Sequence, residues 1–137
     1  LPHTFLDLLG LPPLPYADGR SLAPLFEDPA RASWEDAVLC VGYGCEFFVT
    51  QRMVITGRFK YVFNGFDYDE MYDLERDPDE LHNVLWEERY AGARSELRAK
   101  LYELMNRYGD PYGDRGFADR GSDRPNRYGA PRYLPRA

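Results

Sequence analysis

The chemistry this chain can do concentrates in two short stretches, residues 42–60 and 69–83. Arg52 carries a planar guanidinium fork, which suits paired hydrogen bonds to a carboxylate or to an anionic substrate group. Two readings follow: Arg52 holds a substrate anion, or it holds a carboxylate at an interface with another domain. Lys60 carries the same two readings, on an apolar stem that suits a half-buried strand. The run Gly42-Tyr43-Gly44-Cys45-Glu46-Phe47-Phe48 joins two glycines, which let the backbone bend, to aromatic faces and a carboxylate. It reads either as a binding loop or as a hairpin connection with an aromatic plug.

Other candidates carry less chemistry. Cys40 and Cys45 lack the short paired spacing of a zinc knuckle, and no second pair follows. We expect Cys40 to be a small core residue. If Cys40 lies in a strand and Cys45 past its end, a disulfide between them is disfavoured by geometry. His3 and His82 stand alone, without a partner at ligand or triad spacing. No Asp/Asn cluster offers the six or more oxygens that calcium takes. Tyr72-Asp73-Leu74 and Asp77-Pro78 read as structural: an acid before proline favours a turn, and Asp79 or Glu80 can complement a following helix.

These residues need elements to position them. Residues 4–10 predict the end of a helix closed by Gly10, since Pro12, Pro13 and Pro15 forbid its continuation. Residues 11–35 are loop-like, with a short helix around 22–26. Strands are predicted over 37–41, 51–56, 58–64 and 70–74, with reversals at Gly57 and Asn64-Gly65. A long helix follows, with Tyr90, Ala93, Leu97, Leu101, Leu104 and Tyr108 on one face and Glu96 pairing with Lys100 on the other. Gly109, with Pro111 beyond it, stops that helix.

The expected fold is therefore α+β: a small antiparallel sheet of three to four strands packed by a long C-terminal amphipathic helix. We divide the chain into 1–35, a remnant of a main domain with its connecting loop, 36–108, the sheet-plus-helix subdomain, and 109–137, an irregular tail that wraps a surface.

Composition bounds the rest. The 137 residues are 44% hydrophobic and 15% aromatic, enough for a packed core. A net charge of −6 argues against nucleic-acid binding, which needs a phosphate-neutralising surface. Six arginines beyond residue 108 alternate with Asp110, Asp114, Asp119 and Asp123, so the tail reads as solvated or wrapped. No apolar run is long enough for a membrane-spanning helix. The chain opens at Leu1 directly into Phe5-Leu6-Asp7-Leu8-Leu9, which we expect of a segment cut from a longer protein.

Three ordered motifs carry a resemblance. Gln51-Arg52-Met53-Val54-Ile55-Thr56-Gly57-Arg58-Phe59-Lys60-Tyr61-Val62-Phe63-Asn64 resembles the C-terminal hairpin of sulfatases. Glu70-Met71-Tyr72-Asp73-Leu74-Glu75-Arg76-Asp77-Pro78-Asp79-Glu80-Leu81-His82-Asn83 resembles that family's Glu-Leu-Tyr-Asp-Leu-x-x-Asp-Pro-x-Glu-x-x-Asn signature, departing at Met71. Leu1–Pro12 and Asp18-Gly19-Arg20-Ser21-Leu22 look like the family's approach to this subdomain. The resemblance spans roughly residues 1–108.

It implies the C-terminal part of a sulfatase of the alkaline-phosphatase-like superfamily, acting on small sulfated substrates and closing one side of the active-site cleft. Tyr43, Glu46 and Arg52 become candidates for that cleft. It also implies a missing N-terminal catalytic domain as partner, bringing calcium and a formylglycine nucleophile. Neither Cys40 nor Cys45 sits in the Cys/Ser-x-Pro/Ala-x-Arg pattern that the family converts to formylglycine. Sulfate ester cleavage needs a covalent nucleophile and a cation for developing negative charge, so this part alone is expected to be inactive. Two alternatives stay open: the same part of a phosphonate or phosphate ester hydrolase, and a stand-alone interaction module.

Overall fold

The computed structural model describes residues 1–30, 32–43, 50–65, 67–110 and 112. The chain divides into two compact units, Leu1–Glu35 and the remainder from Asp36.

The first unit holds two short helices, α1 (Pro2–Leu8) and α2 (Ala23–Glu27). Pro2 opens α1, where its missing N–H costs nothing. Gly10 closes it at φ +67°, and Leu11 N–H donates to the Leu6 carbonyl at 2.8 Å. That left-handed turn is the glycine stop the sequence predicts. Buried Thr4 accepts from Leu22 N–H at 3.0 Å, tying α1 to the entry of α2. Phe5, Leu8 and Leu9 are exposed.

The second unit is an antiparallel meander, β1 (Ala37–Tyr43), β2 (Thr50–Thr56), β3 (Phe59–Asn64) and β4 (Glu70–Asp73), in the order β1-β2-β3-β4. A 3-10 turn, Glu88–Tyr90, runs straight into α3 (Ala91–Arg107). Each strand forms where the residue pattern predicts it, and β1 runs two residues further than expected, to Tyr43.

Register decides which side chains meet. Leu39, Val54, Tyr61 and Met71 form one cross-strand row, and Val41, Arg52 and Phe63 form the next. Both rows lie on the face that α3 covers, because side chains two apart along a strand share a face. Leu97, Leu101, Leu104 and Met105 of α3 share one core with Val54, Tyr61, Phe63 and Met71 of the sheet and with Val84, Leu85 and Tyr90. Burying each such side chain stabilises the fold by about 1.5–3 kcal/mol.

Three expectations need correction. Tyr108 is 44% exposed, because it lies past the last helical residue, and Met105 takes the core position instead. Cys40 is not in the core. It pairs with Met53 on the sheet's other face and is only half-buried. Lys100 donates to Glu103 at 2.9 Å, so the charge pairing on that side of α3 involves Glu103, which Arg107 also contacts.

Candidate functional site

Arg52 is the site's centre, and it is buried (1% exposed). Alternation along β2 points it to the helix face beside Val54, where an unpaired cation would be very costly. The chain supplies the counter-charge. Nε–H donates to Asp110 Oδ2 at 2.6 Å and Nη2–H to Asp110 Oδ1 at 3.2 Å, a fork on a carboxylate. Nη1 donates to the Thr50 hydroxyl and to the Gln51 carbonyl, the latter at 3.0 Å. Nη2 also makes a long 3.5 Å contact with the Tyr43 hydroxyl. The guanidinium lies 5.0 Å from the Tyr43 ring centroid and 4.8 Å from that of Tyr112, within cation–π range of both.

Asp110 reaches this position because of how α3 ends. Gly109 adopts φ +65°, and Asp110 N–H turns back to the Met105 carbonyl at 2.8 Å. A side chain other than glycine pays a steric penalty at that φ. Tyr112 N–H then donates to Asp110 Oδ1 at 2.9 Å, which fixes the carboxylate and places the Tyr112 ring.

Of the three sequence candidates, the structure brings Tyr43 and Arg52 together. Glu46 lies outside the described residues, as do Cys45, Phe47 and Phe48. Tyr43 ends β1 and is 66% exposed, with its ring centroid and its hydroxyl both beside the Arg52 guanidinium. The carboxylate that Arg52 holds is this chain's own. Thr50, Asp110 and Tyr112 are the members of the cluster that sequence reasoning missed. Gly109 as a helix stop was the available signal for Asp110, but its partner lies 58 positions away.

The second motif proves to be a staple along β4. Asp73, almost fully buried, accepts from Arg58 Nη2 at 2.8 Å and Nε at 3.2 Å, and from the Tyr90 hydroxyl at 3.1 Å. Those donors hold its pKa down, to about 2. Asp77 accepts from His82 N–H at 2.8 Å, the largest of the contacts that lower its pKa. Glu80 pairs with Lys60. Asn83 accepts from Met71 N–H at 3.0 Å and donates to the Asp69 carbonyl at 3.2 Å, satisfying the edge of β4. Asp69 is buried beneath Tyr61, whose hydroxyl donates to it at 2.6 Å, while Asn64 N–H donates at 3.0 Å. Burial pushes the Asp69 carboxyl up despite both donors.

The acids are thus engaged one by one. Among the described residues no group of three or more His, Cys, Asp or Glu side chains could hold a metal ion. Calcium has no fitting donor set among the described residues. No helix among the described residues is long and apolar enough to cross a membrane.

Comparison with known proteins places this geometry. A family model described as N-sulphoglucosamine sulphohydrolase, C-terminal, matches residues 1–107. The N-acetylglucosamine-6-O-sulfatase of Bacteroides thetaiotaomicron is 33% identical over an alignment of 114 residues that covers 78% of this chain and 20% of that protein. A solved structure of a protein in complex with its substrate, D-glucosamine-2-N,6-O-disulfate, is similar at a TM-score of 0.73 and 30% identity, over 83% of this chain and 24% of that one. The phosphonate monoester hydrolase of Agrobacterium radiobacter is similar at a TM-score of 0.66 and 28% identity, over 77% and 24% of the two chains. The chain spans no more than about a quarter of the length of these relatives. The matching family is a sulphohydrolase's, which favours the sulfatase reading over the phosphonate hydrolase and the stand-alone module. By its family match, its four-stranded sheet and its covering helix, the chain belongs to the C-terminal region of the sulfatases, within the alkaline-phosphatase-like superfamily.

Proposed function

We propose that this chain is the C-terminal subdomain of a sulfatase that hydrolyses sulfate esters on a sugar, and that it closes one side of the active-site cleft. The nucleophile and cation belong to the catalytic domain of that parent. In this reading the subdomain contributes binding to that catalytic domain's pocket. The observation that carries this reading is Tyr43: a largely exposed ring at the end of β1, braced from behind by buried Arg52. A rigid aromatic edge of that kind suits the apolar face of a sugar ring at little entropic cost. Glu46 joins Tyr43 on sequence grounds, as an acceptor for sugar hydroxyls. Arg52 serves the same wall from beneath it.

Glucosamine sulfates are the substrate class we infer, because relatives carry that specificity in their names and in a bound substrate. The test is steady-state sulfate release from 6-O- and N-sulfated glucosamine by the intact protein and its Tyr43→Ala variant. Loss of the ring is expected to raise KM about ten-fold with kcat little changed, the pattern of lost uniform binding. An unchanged KM contradicts the wall assignment.

A further inference from the structure

We propose that Arg52 is a positioning residue that joins the exit of α3 to both strand ends flanking the β1–β2 connection. One guanidinium touches Tyr43, the last residue of β1, and Thr50, the first of β2. It also grips Asp110 and stacks near Tyr112, which follow α3 directly. No other described cation is this deeply buried. Its hydrogen-bonding edges are already directed at protein acceptors, so Arg52 supports a neighbour and does not itself meet a substrate anion.

The physical argument turns on what a buried ion pair supplies. Replacing such a pair by packed apolar groups often leaves stability unchanged or improved. What an apolar replacement cannot supply is direction. The planar fork fixes Asp110 through two bonds, and Nη1 donates to the Thr50 hydroxyl and the Gln51 carbonyl. The Tyr43 ring then has one surface to rest on. Asp110, buried at 5% side-chain exposure, is itself set by the left-handed turn at Gly109 and by Tyr112 N–H. The end of α3 is thereby coupled to the ring that ends β1. The consequence for substrate binding rests on the reading of Tyr43 given above; the coupling itself does not.

The experiment compares the intact protein with Asp110→Asn, Arg52→Lys, Tyr43→Ala and the double variant Asp110→Asn/Tyr43→Ala. Hydrogen exchange is followed at residues 41–43 and 50–52, with β3 as the internal reference, well below the unfolding temperature. Asp110→Asn and Arg52→Lys are expected to speed exchange at those strand ends by about ten-fold or more, the loss of a charge-assisted contact, and to leave β3 unchanged. Arg52→Lys keeps a cation in the cage and serves should Asp110→Asn fold poorly. With sulfated glucosamine, Asp110→Asn raises KM as Tyr43→Ala does, kcat stays within about two-fold, and the double variant is no worse than Tyr43→Ala. Wild-type exchange in both Asp110→Asn and Arg52→Lys overturns the proposal, even where Tyr43→Ala raises KM and the wall assignment stands. Faster exchange in those variants with wild-type KM in Tyr43→Ala upholds the positioning role and removes the wall assignment.

Discussion

Arg58 and Asp73 meet as a fork, Nη2 to Oδ2 at 2.8 Å and Nε to Oδ1 at 3.2 Å, across the pairing of β3 with β4. Arg58 is partly exposed whereas Asp73 is buried, so the carboxylate depends on its partners more than the cation does. Asp73→Asn is expected to cost roughly 1.5–3 kcal/mol, as for a hydrogen bond to a charged group. The folded pKa is depressed, to about 2 from an ordinary 3.8. Its stabilisation is therefore present above pH 4 and is lost as pH falls toward 2. Urea unfolding of both proteins at pH 6 and pH 2 checks this: the difference between them should shrink at the lower pH.

Asp69 behaves in the opposite sense. Burial raises its folded pKa above 3.8, so the folded state favours the protonated acid. Its favourable contribution is full below the unfolded pKa and declines as pH rises through the folded value. Asp69→Asn is expected to be milder than Asp73→Asn at pH 7, since burial already disfavours the Asp69 carboxylate and the amide oxygen still accepts from one of its two donors, the Tyr61 hydroxyl or Asn64 N–H. Unfolding free energies of the two variants measured side by side decide it, and a larger loss in Asp69→Asn contradicts the assignment.

Glu80 sits at φ +54°, in the left-handed region that costs a non-glycine residue about 1–2 kcal/mol. Its pairing with half-buried Lys60 offsets part of that cost. Glu80→Gly should therefore be more stable than Glu80→Ala by about 1 kcal/mol, since both lose Lys60 and only one keeps the strain. Thermal melts of the pair measure the difference directly.

Leu101 is 1% exposed between Leu97 and Leu104 on the buried face of α3. Leu101→Ala is expected to destabilise by about 2–5 kcal/mol through lost burial and the cavity left behind. A thermal midpoint unchanged within error would show that this face is not core.

The strands and the long helix were legible because each has one buried face, and burial imprints its period on the sequence. What was illegible depended on register or on distance along the chain. The short apolar run Ala37–Val41 does not say which of its residues face the helix, so Cys40 was placed in the core when Leu39 and Val41 hold that face. The helical stripe extrapolated to Tyr108, one residue after α3 ends. Arg52 read as a group for a substrate anion or, the favoured reading, for a carboxylate of another domain, because the turn after α3 that carries Asp110 comes beside β2 only once α3 packs on the sheet. The motif around Tyr72-Asp73-Leu74 was readable as structural from its turn chemistry, but its bond to Tyr90 was not.

We propose that the intact protein cleaves sulfate esters of a glucosamine, with this subdomain shaping the pocket. The most direct measurement is a competition assay that follows sulfate release from 6-O-sulfated glucosamine and hydrolysis of an aryl phosphonate monoester by the same preparation. Sulfate release is expected to dominate, by about a hundred-fold or more in kcat/KM, an expectation set by differential transition-state binding, and Tyr43→Ala should weaken it. Faster phosphonate hydrolysis, or no sulfate release at all, would contradict the account.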